Sequence, residues 1–319
     1  MEGTTGSDTL IERVLLAGAT LLFVIFFPFL FPLTVFLAPV PLAVLHARHG
    51  PHYGIGTAVA VSLVSALLSV SPLTFAQVLL LLGPGVALGE GIRDGLSPKA
   101  ILGAATVALV AAMAVFAFME QRTRGVNPFD EARRFVETVL EGMAARDPAA
   151  PPERVEELRR LVHEDIARMQ RIFPAGLFLS SLGIAAIDLS LTRRMLEKLP
   201  GEERAKKLRL PPFSQWRFGM GAGIGFILGW VIPRWFPLGE TVSSVFLNVM
   251  VACGMLVAVQ GAAVLAHLLG RTGLSRGAQV VVGIAAAVAI LAVRGLDLVL
   301  YAAALVDMIF DVRRLGREA

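Results

Sequence analysis

About ten apolar stretches, most of them long enough to cross a bilayer, follow one another along this chain, and short turns join most of them. They fall approximately at residues 14 to 27, 30 to 46, 53 to 71, 75 to 92, 98 to 119, 173 to 192, 218 to 236, 242 to 269, 277 to 293 and 296 to 311. About 20 helical residues cross about 30 Å of hydrocarbon. Lipid offers an open backbone no hydrogen-bond partner, so such spans fold as helices. Composition agrees: 55% of the 319 residues are hydrophobic and 17% are charged, where soluble domains average about 25% charged. The expected fold class is all-α, a polytopic transmembrane helical bundle of about ten spans with an amphipathic helical insert. The lipid bilayer is its first partner.

Loop charge gives an independent test of the span count, because Lys and Arg in short loops collect on the cytoplasmic side. Between spans six and seven lie Arg193, Arg194, Lys198, Arg204, Lys206, Lys207, Arg209 and Arg217, against Glu197, Glu202 and Glu203. Arg48, Arg93 with Lys99, Arg271 with Arg276, and Arg313, Arg314 and Arg317 fall on the same side if ten spans are threaded. The opposite connections carry few cations, Arg234 and Arg294 among them. Both termini are therefore expected in the cytoplasm. The net charge of +4 is accounted for by these loops, so no nucleic-acid partner is expected. The first block follows an acidic head (Glu2, Asp8, Glu12) with Arg13 as its one cation, and apolar sequence resumes beyond Pro28. A cleaved signal would start basic and be shorter, so this block is read as a membrane helix, with Pro28, Pro32, Pro39 and Pro41 interrupting the first two spans.

Polarity divides the chain into an N-terminal membrane bundle (1–119), a polar insert (120–172) and a C-terminal membrane bundle (173–319). The insert holds ten basic and eleven acidic residues, and span parity places it outside the cell. Asn127, Pro128, Asp130 and Glu131 read as a helix N-cap, a proline at the first helical position and acids at the positive helix end. Phe129, Ala132, Phe135, Val136, Val139, Leu140 and Met143 then recur at helical spacing. After a breaker at Asp147 to Pro152, Val155, Leu158, Leu161, Val162, Ile166, Met169 and Ile172 repeat the pattern into span six. Two amphipathic helices are expected, as a hairpin on the bundle or the bilayer surface, with a lid or a partner-docking element as the alternative.

Chemistry-bearing residues are sparse. Cys253 is the sole cysteine and sits in an apolar block, so no disulfide within the chain is available. His46, His49 and His52 share one turn, but Gly50 and Pro51 break the helix that would align them, and no metal site is expected. The Gly219 to Gly229 run lacks the preceding strand of a dinucleotide loop, and no cofactor is expected. The glycines from Gly83 to Gly95 read as a close-packed helix end. No arrangement of serine, histidine and acid suggests an enzyme. Small residues recur every fourth position at Gly54, Ala58, Ser62 and Ala66, at Gly221, Gly225 and Gly229, and at Gly254, Ala258, Ala262 and Ala266. Such rows serve as packing seams or dock a partner membrane protein.

Polar groups inside spans are costly and therefore informative. Asp188 is expected to pair with Arg193, Arg194 or a neighbour, Asp307 with Arg314 or a basic loop, and Asp297 with Arg294. Glu90 with Arg93 marks the end of span four. Asn248 and Gln260 either bridge helices or, together with Asp297, line a polar cavity, which makes these three the candidate substrate-binding residues. Trp216, Trp230 and Trp235 bracket span seven as an aromatic belt does.

The segment "LPPFSQWRF" from Leu210, followed by "WVIPRWF", "VQG" at Val259 to Gly261 and "VDMIFDVRR" ending at Arg314, resembles the YybS-like family of bacterial membrane proteins of unknown function. That resemblance runs through the whole chain and implies a multi-pass protein of the bacterial cytoplasmic membrane without naming a reaction. The first five or six spans also resemble the substrate-binding S component of energy-coupling factor transporters, chiefly through "APVPLAVLHARHGPHYGIGTAVAVSLVSALLS". This second likeness implies a helical cavity for a small molecule and docking to a membrane partner through small residues, with Ala43 and Ala47, beside Gly54 and Ala58, as candidates. The four extra C-terminal spans and the 120–172 insert depart from it. The expected function is small-molecule binding or transport without an ATPase of its own. The alternative is a non-catalytic membrane scaffold or regulator that binds partner proteins or anionic lipid.

Overall fold

The computed structural model describes residues 6–26, 29, 37–125, 127–146, 152–200, 203–293 and 295–313. Among the described residues the secondary structure is entirely helical. It comprises α1 (Gly6–Ile25), α2 (Pro39–His49), α3 (Pro51–Ser69), α4 (Pro72–Arg93), α5 (Pro98–Arg124), α6 (Pro128–Arg146), α7 (Pro152–Glu197), α8 (Arg204–Lys207), α9 (Met220–Trp235), α10 (Glu240–Gly270), α11 (Arg276–Ala292) and α12 (Asp297–Phe310), with a 3-10 turn at Phe213–Gln215. Helices α2 to α7 each open on proline. Proline's missing N–H costs nothing at a position whose N–H has no partner within the helix. Between α2 and α3 the chain turns at Gly50, whose φ of 92° suits glycine.

Among the described residues five helices are long and apolar enough to cross a membrane, over Pro51–Ser69, Pro72–Arg93, Pro98–Thr123, Glu153–Glu197 and Glu240–Gly270. They correspond to expected spans three, four, five, six and eight. Their apolar cores are mostly unburied by protein; for α10 only 11% of the best window is covered. That much exposed apolar surface needs lipid. The other five expected spans are shorter or more polar. Helix α1 carries Glu12 and Arg13, and α12, at 14 residues, is only about 21 Å long. Most of the stretch between Phe27 and Phe36, on which the second span depended, lies outside the described residues, as does Pro28.

Helix α7 runs unbroken for 46 residues, roughly 69 Å, so the second amphipathic helix and span six form one rod. The expected cap on α6 is present, with the Phe129 N–H donating to Asn127 Oδ1 at 3.0 Å. The Asp147 to Pro151 breaker lies outside the described residues.

The chain divides into two compact units that do not follow the polarity boundaries. One comprises residues 1–135 and 180–210, the other 136–179 and 211–319. The division cuts α6 after Phe135 and α7 after Leu179; Arg171 and Ala175 of α7 bond to α10, whereas Ala185, Leu189 and Leu196 join the core of the first unit.

In the first unit α4 packs against α2, α3 and α5, and α1 against α2 and α3. One core joins Leu16, Ala43, Leu45, Leu88, Ile101 and Ala105 to Ala185, Leu189 and Leu196 of α7; a second joins Val24, Leu42, Ala58, Val61 and Leu82. Glycine sets the closeness of the α2–α4 contact: a Cβ at Gly85 would lie 2.6 Å from the Pro39 carbonyl oxygen, and one at Gly89 would lie 2.8 Å from that of Ala43.

In the second unit α10 is central, packed against α9, α11, α12 and the 3-10 turn. A Cβ at Gly229 would lie 2.8 Å from the Met250 backbone nitrogen, and one at Gly261 would collide with the Leu300 carbonyl. Phe226 and Tyr301 stack beside this seam at 4.8 Å between ring centroids.

Gly85→Ala and Gly261→Ala, each opposed by backbone that cannot swing away, should cost about 1–3 kcal/mol and lower the melting temperature in detergent. Gly56→Ala and Gly83→Ala, with open space around the added methyl, should be neutral or mildly stabilising.

Helices α6 and α7 are tied by Glu137, which accepts from His163 Nε2 at 2.8 Å and Arg159 Nε at 3.1 Å. The hydrogen bond from His163 is the main influence that holds the Glu137 carboxyl below its ordinary value, with Arg159 adding to it against a desolvation effect. A depressed folded-state value means that the tie is complete above the ordinary carboxylate range and is lost as pH falls through the lowered value. Amide exchange in 137–163 should therefore accelerate on acidification, and Glu137→Gln should remove that acid-dependent step.

Candidate functional site

Each unit encloses a small set of polar side chains, and the two sets differ in one respect: one is fully bonded and the other is not.

In the second unit the set lies where α10, α12 and the chain before α9 meet. Asp307, 1% exposed, lies one turn before the end of α12. Asp311 takes a left-handed conformation (φ 46°) beyond that end, and the chain turns back so that Arg313 reaches Asp307. The Arg313 guanidinium donates to Asp307 Oδ2 at 2.8 Å, to the Ser214 carbonyl at 2.7 Å and to the Trp216 carbonyl at 3.0 Å. Gln260 completes the set: its Nε2 donates to Asp307 Oδ2 at 3.0 Å, and its Oε1 accepts the Phe218 N–H at 2.8 Å. Outside this knot, Arg217 pairs with Asp311 at 3.1 Å.

The knot brings together the "FSQWRF", "VQG" and "VDMIFDVR" segments. In "VQG" the glutamine bonds Asp307 while Gly261 admits the α12 backbone. Asp307 was expected to pair with Arg314 or a basic loop; its partner is Arg313, because the turn at Asp311 brings that residue back onto the helix. Arg314 and Arg317 lie outside the described residues.

Asn248 has a separate task 12 positions earlier on α10, roughly 18 Å away along the axis. Pro174 stands inside α7 and has no N–H to donate. Asn248 Oδ1 accepts the Ala175 N–H at 2.9 Å, and its Nδ2 donates to the Arg171 carbonyl at 2.8 Å. These two backbone groups would pair with each other in an ideal helix; the asparagine amide serves both where the proline disturbs the ladder. Asp297 is exposed in the first turn of α12, where an acid suits the positive helix end, and Arg294 lies outside the described residues. The three candidate substrate-binding residues therefore do not converge on one cavity.

In the first unit Ala43, Ala47, Gly54 and Ala58, the candidates for partner docking, are buried in its interior. Among them lies His46, 1% exposed, whose Nε2 meets Glu90 Oε2 at 2.6 Å. A Cβ at Gly54 would collide with the imidazole. His49 accepts from Arg13 at 3.2 Å through Nδ1 and meets Glu12 at 3.1 Å through Nε2, while His52 is exposed. The three histidines thus have separate partners or surroundings. Arg48 joins the same end through Glu12 at 2.6 Å.

The unbonded set is also here. Ala185, Asp188, Leu189, Thr192 and Leu196 form the buried face of α7, each at 0% exposure. Asp188 Oδ1 and Oδ2, Thr192 Oγ1 and His46 Nδ1 are the buried side-chain polar atoms without a hydrogen-bond partner among the described residues. The pairing of Asp188 with Arg193 or Arg194 does not form. Arg193 turns to Glu197, four positions on, at 3.2 Å.

Apolar helices of bilayer length, largely uncovered by protein, make this a polytopic α-helical membrane protein. The chain matches the family of predicted membrane proteins designated DUF2232 over residues 15–308, nearly its whole length, and belongs to that family. No curated protein and no solved structure matches it.

Breaking the Asp307–Arg313 pair by Arg313→Met should cost about 3–5 kcal/mol, because it strands a buried carboxylate. The double variant Asp307→Leu with Arg313→Met should recover part of that loss in a thermal unfolding cycle. Equal, additive losses would mean that the two side chains do not act as a pair.

Proposed function

We propose that this protein binds a small solute within its N-terminal unit, for uptake or transfer across the membrane. The observation that carries the reading is that Asp188, Thr192 and His46 Nδ1, all buried in this unit, have no hydrogen-bond partner among the described residues. Polar groups at such depth are expensive to maintain and mark ligand or ion paths more often than packing. The likeness of the first spans to the S component of energy-coupling factor transporters points the same way. The chain carries no nucleotide-binding signature, so an ATP-driven step would fall to another chain, and we assign it no enzymatic reaction. In this reading it crosses the bacterial cytoplasmic membrane about ten times, with α1, α2, α9, α11 and α12 as short or tilted spans and both termini in the cytoplasm.

A scaffold reading has one observation in its favour: the first part of α7 presents exposed apolar side chains, Leu161 at 46% and Met169 at 60%. Thermal unfolding of purified protein across a panel of vitamins and small metabolites separates the two readings. The solute reading expects a rise in melting temperature with one chemical class, and a reduced rise in Asp188→Asn and Thr192→Val. No response to any compound, with a protein partner retained through purification, would replace it by the scaffold.

A further inference from the structure

We propose that Asp188, with Thr192 one turn further along α7, is a proton-carrying site in the membrane-spanning part of the first unit. Its carboxyl is held in the neutral acid form and exchanges its proton with solvent when the unit opens. The inference rests on the solute reading only for its purpose, coupling solute movement to a proton; the site itself stands on the geometry.

Both carboxyl oxygens of Asp188 are fully buried and neither has a partner. An isolated carboxylate in such surroundings would have to forgo its hydration with nothing in return, whereas a carboxylic acid forgoes far less. The cations near this end of the unit are engaged elsewhere or exposed. On α7 itself Arg193 is paired with Glu197. On the elements that share the core with it, His46 meets Glu90, which also lies 3.6 Å from Arg93. Arg48 and His49 are both on Glu12 of α1, Arg13 is on His49 and Tyr53, and Arg204 of α8 donates to the Ala47 carbonyl. Lys99 of α5 is exposed, and Glu120 at its far end accepts from Gln77.

Thr192 gives the site its second member. Threonine inside a helix usually returns its hydroxyl to the carbonyl four residues back, as Thr20, Thr106 and Thr123 do here. Thr192 makes no such bond, and the residue four back is Asp188, whose side chain shares its face of the helix. A hydroxyl that can both donate and accept beside a carboxyl suits the two protonation states in turn. A metal ion suits the site less well. Calcium takes about six to eight oxygens, and among the described residues no group of three or more His, Cys, Asp or Glu is placed to hold a metal.

Infrared difference spectroscopy of the full-length protein in lipid, wild type minus Asp188→Asn at neutral pH, tests this directly. The expected result is a carboxylic acid carbonyl band that vanishes in the variant, shifts in heavy water and changes frequency in Thr192→Val. If Asp188→Asn does not fold, wild-type protein grown on carboxyl-labelled aspartate should show the same band displaced by the isotope. A carboxylate band in its place, or an acid band that never responds to heavy water, would overturn the proposal. A hydrophobic carbodiimide, which adds to a protonated carboxyl with transfer of that proton to its own nitrogen, should modify Asp188 in wild type. The adduct should fall severalfold as the pH is raised; a yield that rises with pH would count against the site. These readouts need no solute, so a silent solute panel with a positive acid band would remove the solute reading and leave the proton site standing.

Discussion

Lipid neither donates nor accepts a hydrogen bond, and that constraint governs every other feature of this protein. It forces the backbone into helices, makes glycine the residue that sets the distance between them, and turns each polar side chain below the surface into a group that must find a partner or carry a cost. The closeness of α10 to α12 at Gly261 and of α2 to α4 at Gly85 belongs to the same logic. With no hydrophobic drive between helices in lipid, dense contact and buried hydrogen bonds hold them together.

The second unit uses its polar residues as fasteners. Arg313 and Asp307 join the C-terminal turn to the segment before α9, and Gln260 adds α10 to the same knot. Asn248 fastens α10 to the Pro174 turn of α7. In both places the side chain meets backbone groups that no neighbouring peptide serves: the carbonyls of Ser214 and Trp216 in an irregular segment, and a helical pair loosened by proline. Buried backbone groups need a protein partner, so these side chains satisfy the irregular segment before α9 and the loosened rung of the otherwise continuous α7.

Much of the fold was legible because it follows from local rules. The apolar stretches, the Asn127 cap with Pro128 behind it and the small-residue rows each report on a few neighbouring residues, and five of the expected spans formed as helices of bilayer length, whereas Pro39, read as an interruption of the second span, opens α2. What the sequence hid depends on distant partners. Asn248 and Gln260 look alike as amides in an apolar helix, yet one serves Pro174 and the other Asp307; only the fold distinguishes a shared cavity from two separate bonds. The choice of Arg313 over Arg314 turns on a single left-handed residue, Asp311, which an unexceptional sequence does not advertise. The helical pattern that runs into span six foreshadowed the continuous α7, but its change of character near Phe173, from amphipathic to apolar, suggested a domain boundary where the backbone carries straight on.

Asp188 and Asp307 show why burial alone does not identify a functional acid. Each lies at or below 1% exposure near the end of an apolar helix, and each was expected to take a nearby arginine. Asp307 has a guanidinium, an amide and a backbone N–H, so its charge is spent on holding three segments together and removing any partner strands the rest. Asp188 has arginines five and six residues ahead, but they lie off the buried face, Arg194 is exposed and Arg193 turns to Glu197. Packing alone would be served at least as well there by leucine or asparagine, neither of which leaves an acid to be kept neutral. A carboxyl placed where it bonds nothing in this conformation is best explained by a second state in which it bonds something, and the smallest thing it can exchange between the two is a proton.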